Sequence, residues 1–220
     1  MEEQKVVNPG RAAAERFRGN RRLHGYARGK TAWDPAYPAI AERAFGSPRP
    51  LLDVGCGVGL LAAYLREAGC CQTLVGIEPD AAKVQLAAER VGGYYDNVRF
   101  EVGEAARMPD FSGDVVVLDV LHYLDEAGQA EFLRNIVSRI APGGSAWIRT
   151  TFREAHWRFA VTLAEEAFVR LTGWIRGGRC VFPRRQMILD TLDSTGFAVT
   201  VEPMWGRTPF NSHLITVKRP

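Results

Sequence analysis

The sequence predicts an α/β fold in which helices pack on a mostly parallel sheet. Two observations lead to this prediction. Short apolar runs alternate with helical runs of about 10 to 15 residues, which is typical of βαβ units with right-handed crossovers. In addition, the first apolar run, Pro50–Val54, ends in a glycine-rich turn at residues 55–59, and an apolar helical run follows directly. This order places unpaired helix N–H groups at the carboxyl end of the strand, where open α/β sheets bind ligands.

The remaining elements follow in chain order. We expect further strands at Thr73–Ile77, Val98–Val102, Asp114–Leu118, Ser145–Thr150, Phe197–Val201 and Leu214–Val217. Helical spacing of apolar residues predicts helices at Tyr37–Phe45, Asp80–Val91, Asp125–Ile140, Trp157–Leu171 and Pro183–Ser194.

Two segments do not fit the regular alternation. Residues 1 to about 20 are polar and contain a Pro-Gly pair, so we expect a flexible tail ahead of a single domain at residues 21–220. Residues 152–182 are additional to a regular βαβ unit, and we expect them to form a helical insertion after the fifth strand that caps the substrate. Between the tail and the first strand, glycines and prolines punctuate a segment that could be a surface collar or a lid.

Composition excludes several classes of protein. The net charge is only +3, which gives no case for whole-surface binding of nucleic acid. There is no signal-peptide-like apolar segment, and no run approaches the roughly 18 uncharged residues of a membrane span. The four cysteines lack the paired spacing of a zinc site. We therefore expect a cytoplasmic protein with no metal site, no membrane span and no nucleic-acid partner; the oligomeric state stays open.

The glycine turn and the acid after the second strand point to a nucleoside-containing ligand. Glycine lets the backbone adopt positive φ and lets a ligand approach closely. The dinucleotide fingerprint would require glycine at position 60, where Leu60 stands, so a nicotinamide-binding protein is disfavoured. Glu78 lies about 20 residues past the glycines, the position from which a carboxylate accepts hydrogen bonds from ribose hydroxyls.

Five motifs in this order resemble the class I S-adenosylmethionine-dependent methyltransferase family. They are Asp53–Gly59, Glu78–Asp80, Gly103–Ala105, Asp114–His122 and Ile140–Gly144. The resemblance covers about residues 50–150 and the two terminal strands. It implies S-adenosyl-L-methionine as cofactor, with S-adenosyl-L-homocysteine as its product. It also implies a Rossmann-like three-layer sandwich whose seven-stranded, mostly parallel sheet has an antiparallel last strand.

The resemblance also implies where the cofactor binds. Asp53 and the glycine turn would hold its amino acid end, Glu78 the ribose, and the segment after the third strand the adenine. That segment has Glu104 where many members of the family have Asp. Residues around Tyr26 would close over the cofactor carboxylate, and those after the fourth strand would line the floor near the methyl group. The implied cofactor-binding residues are Tyr26, Arg28, Lys30, Asp53, Gly55, Cys56, Gly57, Gly59, Glu78, Pro79, Glu104, Ala105, Asp119 and Val120.

A closer similarity concerns the acceptor. The runs Tyr26–Lys30, Asp34–Tyr37 and Arg207–Asn211 are similar to methyltransferases encoded with bacterial aryl polyene pigment pathways. This similarity implies a small aromatic or apolar acceptor, such as a phenolic or carrier-bound acyl intermediate of pigment or other secondary metabolism. Residues 149–185 contain eight arginines and three acidic residues, which would suit an acidic carrier protein or only a solvated surface.

Methyl transfer is an in-line displacement, so the enzyme chiefly aligns the reactants and excludes water. A general base assists a phenol or an activated carbon, and histidine titrates in the right range. His122, just past the fourth strand, is the first candidate, with packing as the alternative role, and His156 in the insertion is the second. Trp157, Trp174 and Trp205 are candidates for an aromatic wall around a flat acceptor.

Two other functions stay open at this point. An RNA or protein methyltransferase would share the cofactor motifs, but the chain has no nucleic-acid module. It also lacks the Asn-Pro-Pro-Tyr-like tetrapeptide of many amino-group methylating relatives, because Asp119–His122 stands in its place. A non-catalytic S-adenosylmethionine-binding protein could retain the glycine turn and Glu78.

Overall fold

The glycine turn joins strand β1 (Leu51–Val54) to an eight-residue helix (Leu60–Glu67) in the computed structural model, which describes residues 8–104, 107–171 and 180–220. The other strands are β2 (Leu74–Glu78), β3 (Val98–Val102), β4 (Asp114–Leu118), β5 (Ser145–Thr151), β6 (Ala198–Pro203) and β7 (Ser212–Lys218). The helices are α1 (Pro9–Glu15), α2 (Arg21–Trp33), α3 (Ala36–Ala44), α4 (Leu60–Glu67), α5 (Ala81–Ala87), α6 (Glu126–Ser138), α7 (Trp157–Leu171) and α8 (Arg185–Asp193).

The seven strands form one sheet in the order β3-β2-β1-β4-β5-β7-β6. Strand β7 runs antiparallel to both of its neighbours, whereas the other neighbouring strands pair in parallel. The predicted fold class is therefore confirmed. The chain reverses its direction of winding between β1 and β4, and this is the switch point at which such sheets bind ligands.

Helices cover both faces of the sheet, which explains why the central strands are continuous apolar runs. All four residues of β1 are buried. Leu51 packs in one core with Ile40 and Leu61, whereas Leu52 packs in a second core with Phe132. Successive side chains of a strand point to opposite faces, so the two cores lie on the two sides of the sheet.

The prediction of a flexible N-terminal tail is wrong for the segment that contains α1. Asn8 caps this helix by accepting a hydrogen bond from the Arg11 backbone N–H at 3.1 Å. Pro9 stands in the first turn, where its missing N–H costs nothing. Ala13, Ala14 and Phe17 are almost completely buried. The Pro-Gly pair therefore begins a packed helix.

Helix α2 is one continuous element, although the sequence indicated only a segment punctuated by glycines. The side chain of Asn20 caps it by accepting from the Leu23 backbone N–H at 3.1 Å. Leu23 and Ala27 form its buried face, and the Thr31 hydroxyl donates to the Gly10 carbonyl of α1 at 3.0 Å. Tertiary contacts thus stabilise a helix that contains two glycines, Gly25 and Gly29.

The insertion contains helix α7 with the predicted bounds. Two residues proposed for the site, Ala105 and Trp174, lie outside the described residues. Within the described ranges, no helix is long and apolar enough to cross a membrane.

Candidate active site

A cavity of about 1110 Å³ lies at the carboxyl ends of the central strands. It extends across the switch point, from the residues after β1 and β2 to the residues after β4 and β5. Twelve of the residues proposed from the sequence line it: Tyr26, Lys30, Asp53, Gly55, Cys56, Gly57, Glu78, Pro79, Glu104, Asp119, Val120 and His122.

Gly57 and Gly59 of the turn have different structural roles. Both have positive φ, +56° at Gly57 and +78° at Gly59. A Cβ on Gly59 would lie 2.7 Å from Phe100 Cζ, so this glycine is required by packing and does not line the cavity. A Cβ on Gly57 would meet no atom within 4 Å. Gly57 therefore leaves space at the cavity wall for a ligand.

Two buried carboxylates, Asp53 and Glu78, form the polar end of the cavity. Glu78 Oε2 accepts a hydrogen bond from the Gly57 backbone N–H at 3.1 Å, and Glu78 Oε1 lies 3.4 Å from Lys83 Nζ. Asp53 is 3% exposed, and its Oδ2 atom has no hydrogen-bond partner among the described residues. Burial, and then the charge of Glu78, raises the pKa of Asp53 to about 7.

This end of the cavity fits the cofactor that the resemblance implies. The unpartnered oxygen of Asp53 can accept a hydrogen bond from an ammonium group, and the two carboxylates favour a cationic ligand. The resemblance implies that Glu78 would accept hydrogen bonds from the ribose hydroxyls. Burial also raises the pKa of the Cys56 thiol beside this turn, so Cys56 stays neutral.

A cluster of four charged residues joins α2 to the ends of β4 and β5. Arg149 is 4% exposed on β5, and its Nη1 donates to Asp34 Oδ1 at 2.5 Å. Its Nε donates to Asp119 Oδ1 at 3.0 Å, and its Nη2 contacts the other oxygen of the same carboxylate. Lys30 Nζ lies 3.0 Å from Asp34 Oδ2. We refer to Lys30, Asp34, Asp119 and Arg149 as the charge cluster.

The charge cluster keeps Asp34 ionised. Burial alone would raise the pKa of Asp34, but the guanidinium of Arg149 and the ammonium of Lys30 outweigh this effect and lower it to about 2. For Lys30, burial and the charge of Arg149 would lower the pKa, but the carboxylates of Asp34 and Asp119 outweigh them and raise it. Asp119 has φ +61°, a conformation unusual outside glycine, and its bidentate contact with Arg149 holds it there. Lys30 and Asp119 thus line the cavity while their charges are paired within the protein.

The other half of the cavity, beside β4, β5 and β7, is apolar or carries hydroxyl groups. His122 is buried there, and its ring stacks on Phe182 with centroids 5.4 Å apart and planes at 22°. The His122 carbonyl accepts from the Val181 backbone N–H at 2.8 Å, which fixes the insertion against the residues after β4. The other lining residues of this acceptor half are Leu118, Val120, Tyr123, Leu124, Thr151, Thr162, Met204, Thr208, Phe210 and Ser212, together with the paired Asp119 and Arg149.

Some proposed residues lie outside the described lining of this cavity. Arg28 is exposed on α2, because in a helix Tyr26 and Lys30 share one face while Arg28 lies on another. His156 stacks between Trp157 and Trp205, with centroid distances of 5.9 Å to each ring. Trp157 is 60% exposed, and the Arg158 guanidinium lies 4.7 Å from the ring centroids of both tryptophans. The aromatic wall of the acceptor half is instead Phe182, with Phe210.

Among the residues of the cavity wall that the sequence analysis missed are Asp34, Lys83, Arg149 and Phe182. A signal existed for Arg149, because a charged residue inside a buried strand requires a partner of opposite charge. Its partner Asp34 is 115 residues away, so the pair itself could not be identified.

Comparisons with known proteins agree with this fold. A family model described as a methyltransferase domain matches residues 51–144. The demethylmenaquinone methyltransferase of Deinococcus radiodurans is 32% identical over 108 residues, which are 48% of this chain and 44% of that protein. The trans-aconitate 2-methyltransferase of an Acidovorax species is 25% identical, and the alignment covers 77% of this chain and 76% of that protein.

A solved structure and a further relative define how far the likeness extends. The magnesium protoporphyrin IX methyltransferase of Synechocystis with bound SAH has a TM-score of 0.63 at 19% identity, covering 84% of this chain and 80% of that chain. An uncharacterized protein of Synechococcus is 30% identical over 149 residues, and the chain spans 34% of its length. The chain thus spans less than half the length of two of the curated relatives that it matches.

Proposed function

We propose that this chain, whose residues 51–144 match a methyltransferase-domain family model, is a class I S-adenosylmethionine-dependent methyltransferase. It transfers a methyl group from S-adenosylmethionine to a small, aromatic or apolar acceptor. The observation that carries this proposal is the division of the cavity across the switch point. One end presents Asp53, Glu78 and the open side of Gly57 to a cationic, nucleoside-containing ligand. The acceptor half presents apolar and hydroxyl side chains, and its two charged residues neutralise each other.

The cofactor supplies an electrophilic methyl group when it is bound. The chain's own residues then hold the two reactants in line and exclude water. Asp53 and Glu78 hold the charged end and the ribose, and the Gly57 turn admits the ligand to the strand ends. Val120 and Phe182 line the acceptor half, where Phe182 stacks against a flat ring.

We assign the role of general base to His122. Its ring lies at the wall of the acceptor half, in contact with Phe182. Both ring nitrogens are buried, so in this proposal a side chain beside the ring moves when a phenol or hydroxyl binds. His156 is not carried into this role, because it stacks on Trp157 and Trp205 outside the described cavity lining. The insertion at residues 152–182 acts as the substrate cap in this proposal, supported by Thr162 and Phe182 at the cavity wall.

The likeness to aryl polyene pathway methyltransferases supports a phenolic acceptor of pigment or other secondary metabolism, including one presented on an acidic carrier protein. Two of the relatives are named for small molecules, demethylmenaquinone and trans-aconitate. Both observations favour a small-molecule acceptor over RNA or protein.

Two measurements test the proposal. Titration calorimetry should detect binding of S-adenosylmethionine to the folded chain, and absence of binding would refute the cofactor assignment. Transfer of labelled methyl groups should then be measured with phenols, quinols, carboxylic acids, carrier-bound acyl groups and RNA. We expect a phenol or quinol to be methylated; methylation of RNA alone would contradict the acceptor class.

The base is tested with a matched pair of histidine variants. With an active acceptor, His122→Ala should reduce turnover by roughly 10²-fold or more without changing the affinity for S-adenosylmethionine. His156→Ala is the control and should retain turnover. Retained turnover in His122→Ala would exclude His122 as the base and leave the cofactor assignment intact.

A further inference from the structure

The mouth of the cavity carries exposed aromatic side chains. Trp33, Tyr123 and Tyr26 all line the cavity, yet they are 61%, 45% and 39% exposed to solvent. Trp33 and Tyr26 lie on α2, and Tyr123 lies in the short helical turn after β4. Residues that are both cavity-lining and exposed mark the rim of the opening. Large exposed aromatic residues around a ligand cavity indicate an interaction surface.

The N-terminal segment that includes α2 is strongly basic. Residues 8–33 contain seven Lys or Arg and one acid, Glu15, although the whole chain has a net charge of only +3. Glu15 is already contacted by His24 at 3.2 Å and by Arg18 at 3.5 Å. Within the described part of the chain, neither Arg21 nor Arg28 forms an ion pair with an acidic residue. These two arginines are seven positions apart, so they share the solvent face of α2.

The position of α2 combines both properties at one opening. Arg22 and Trp33 lie on its cavity face, and Arg21 and Arg28 lie on the adjoining solvent face. The buried face, with Leu23 and Ala27, packs on the rest of the protein. The exposed aromatic and basic residues of α2 are therefore fixed on the surface, next to the route into the acceptor half.

We propose that this rim, formed by Arg21, Arg22, Arg28, Trp33 and Tyr123, docks on the surface of an anionic lipid bilayer. Tryptophan and tyrosine favour the headgroup region, and each basic residue near an anionic membrane surface strengthens binding. A bilayer satisfies the aromatic and the basic residues together, and it is the compartment in which an apolar acceptor accumulates. The acceptor would then enter the cavity directly from the membrane. This route, but not the docking itself, rests on the proposed function.

Vesicle flotation tests the docking without cofactor or acceptor. The chain should bind vesicles of phosphatidylcholine and phosphatidylglycerol in equal parts, and it should bind phosphatidylcholine vesicles much more weakly. Raising the ionic strength from about 0.1 M to about 1 M shortens the Debye length from about 10 Å to about 3 Å and should abolish most of the binding. Equal binding to both kinds of vesicle, or none to either, would overturn the proposal.

A matched pair of double variants locates the surface. Arg21→Gln with Arg28→Gln should weaken binding to anionic vesicles by about 25-fold, because each basic residue near the surface contributes roughly fivefold. Arg134→Gln with Lys218→Gln removes the same charge from exposed positions on α6 and β7 and should change binding little. An equal effect of the two double variants would exclude α2 as the docking surface. Trp33→Ala should also weaken binding, and circular dichroism should show that every variant is folded.

The experiment also separates a membrane from a carrier protein. A holo acyl carrier protein is added as a competitor and as a direct ligand in calorimetry. Tight binding of the carrier protein that depends on Arg21 and Arg28, without binding to anionic vesicles, would overturn the membrane proposal. Because binding of S-adenosylmethionine is measured separately, failure of the docking proposal and failure of the proposed function are distinguishable.

Discussion

The Asp53→Asn variant should become more stable relative to the wild type as the pH rises, even though the substitution removes a binding residue. Asp53 is buried with an unpartnered oxygen beside Glu78, and its pKa is about 7 against an ordinary 3.8. A raised pKa means that the folded protein holds the proton more tightly than the unfolded chain. The free energy of unfolding of the wild type therefore falls as the pH rises from about 4 to about 7.

The magnitude follows from the shift. The difference in the pKa of Asp53 between the folded and unfolded states lowers the free energy of unfolding by about 4 kcal/mol at pH 7. Asparagine does not ionise, so the stability of Asp53→Asn relative to the wild type should increase by about this amount between pH 4 and pH 7. Urea denaturation of both proteins across this range, without S-adenosylmethionine, measures the difference. A difference that stays constant with pH would refute the reasoning that burial and Glu78 raise this pKa.

Three further predictions concern the cofactor end and the charge cluster. A cationic ligand favours the ionised form of Asp53, so binding of S-adenosylmethionine at about pH 6 should release up to one proton. Calorimetry in buffers of different ionisation enthalpy detects this release. No release would contradict the contact with Asp53. The pKa of Asp34 is lowered to about 2, so its charge contributes about 2 kcal/mol above pH 4, which is lost as the pH falls toward 2. The advantage of the wild type over Asp34→Asn in urea denaturation should shrink over that window, and a constant advantage would argue against the pairing with Arg149. Gly57→Ala should destabilise the fold by only about 1 to 2 kcal/mol, because of its left-handed backbone, but should reduce cofactor affinity at least tenfold. Gly59→Ala should lose more stability, because its Cβ meets Phe100. Thermal melts and calorimetry that rank the two variants the other way would contradict these roles.

The strands could be predicted from the sequence to within a few residues, because turn residues bound each of them. The central strands β1, β2 and β4 are in addition buried on both faces, so they are nearly continuous apolar runs. Helices α1 and α2 could not. The Pro-Gly pair of α1 is equally consistent with a turn, and the burial of Ala13 and Ala14 that stabilises the helix depends on contacts that the sequence pattern does not show. In α2, the buried face consists of Leu23 and Ala27 and the helix contains two glycines, so its pattern is too weak to predict a helix.

The cofactor end of the site was more accessible to sequence analysis than the acceptor half. Asp53, the glycines and Glu78 lie near one another in sequence, at positions that a strand, a turn and a helix fix relative to each other. The acceptor half is assembled from segments far apart in the chain, such as His122 and Phe182, and their contact depends on how the insertion packs. The charge cluster has the same long-range character, which is why Asp34 and Arg149 were missed.

Arg22 and Trp33 of α2 are not among the residues that attach this helix to the rest of the protein. Lys30 connects the helix to the charge cluster, and Leu23 and Ala27 pack it onto the rest of the protein. Arg22 and Trp33 face the cavity and its opening without belonging to either attachment. For protein engineering, these two positions form a compact set for a substitution library aimed at acceptor choice. Because Asp53, Glu78 and Gly57 lie on other elements, such a library can vary the opening while leaving the methyl-donor end unchanged.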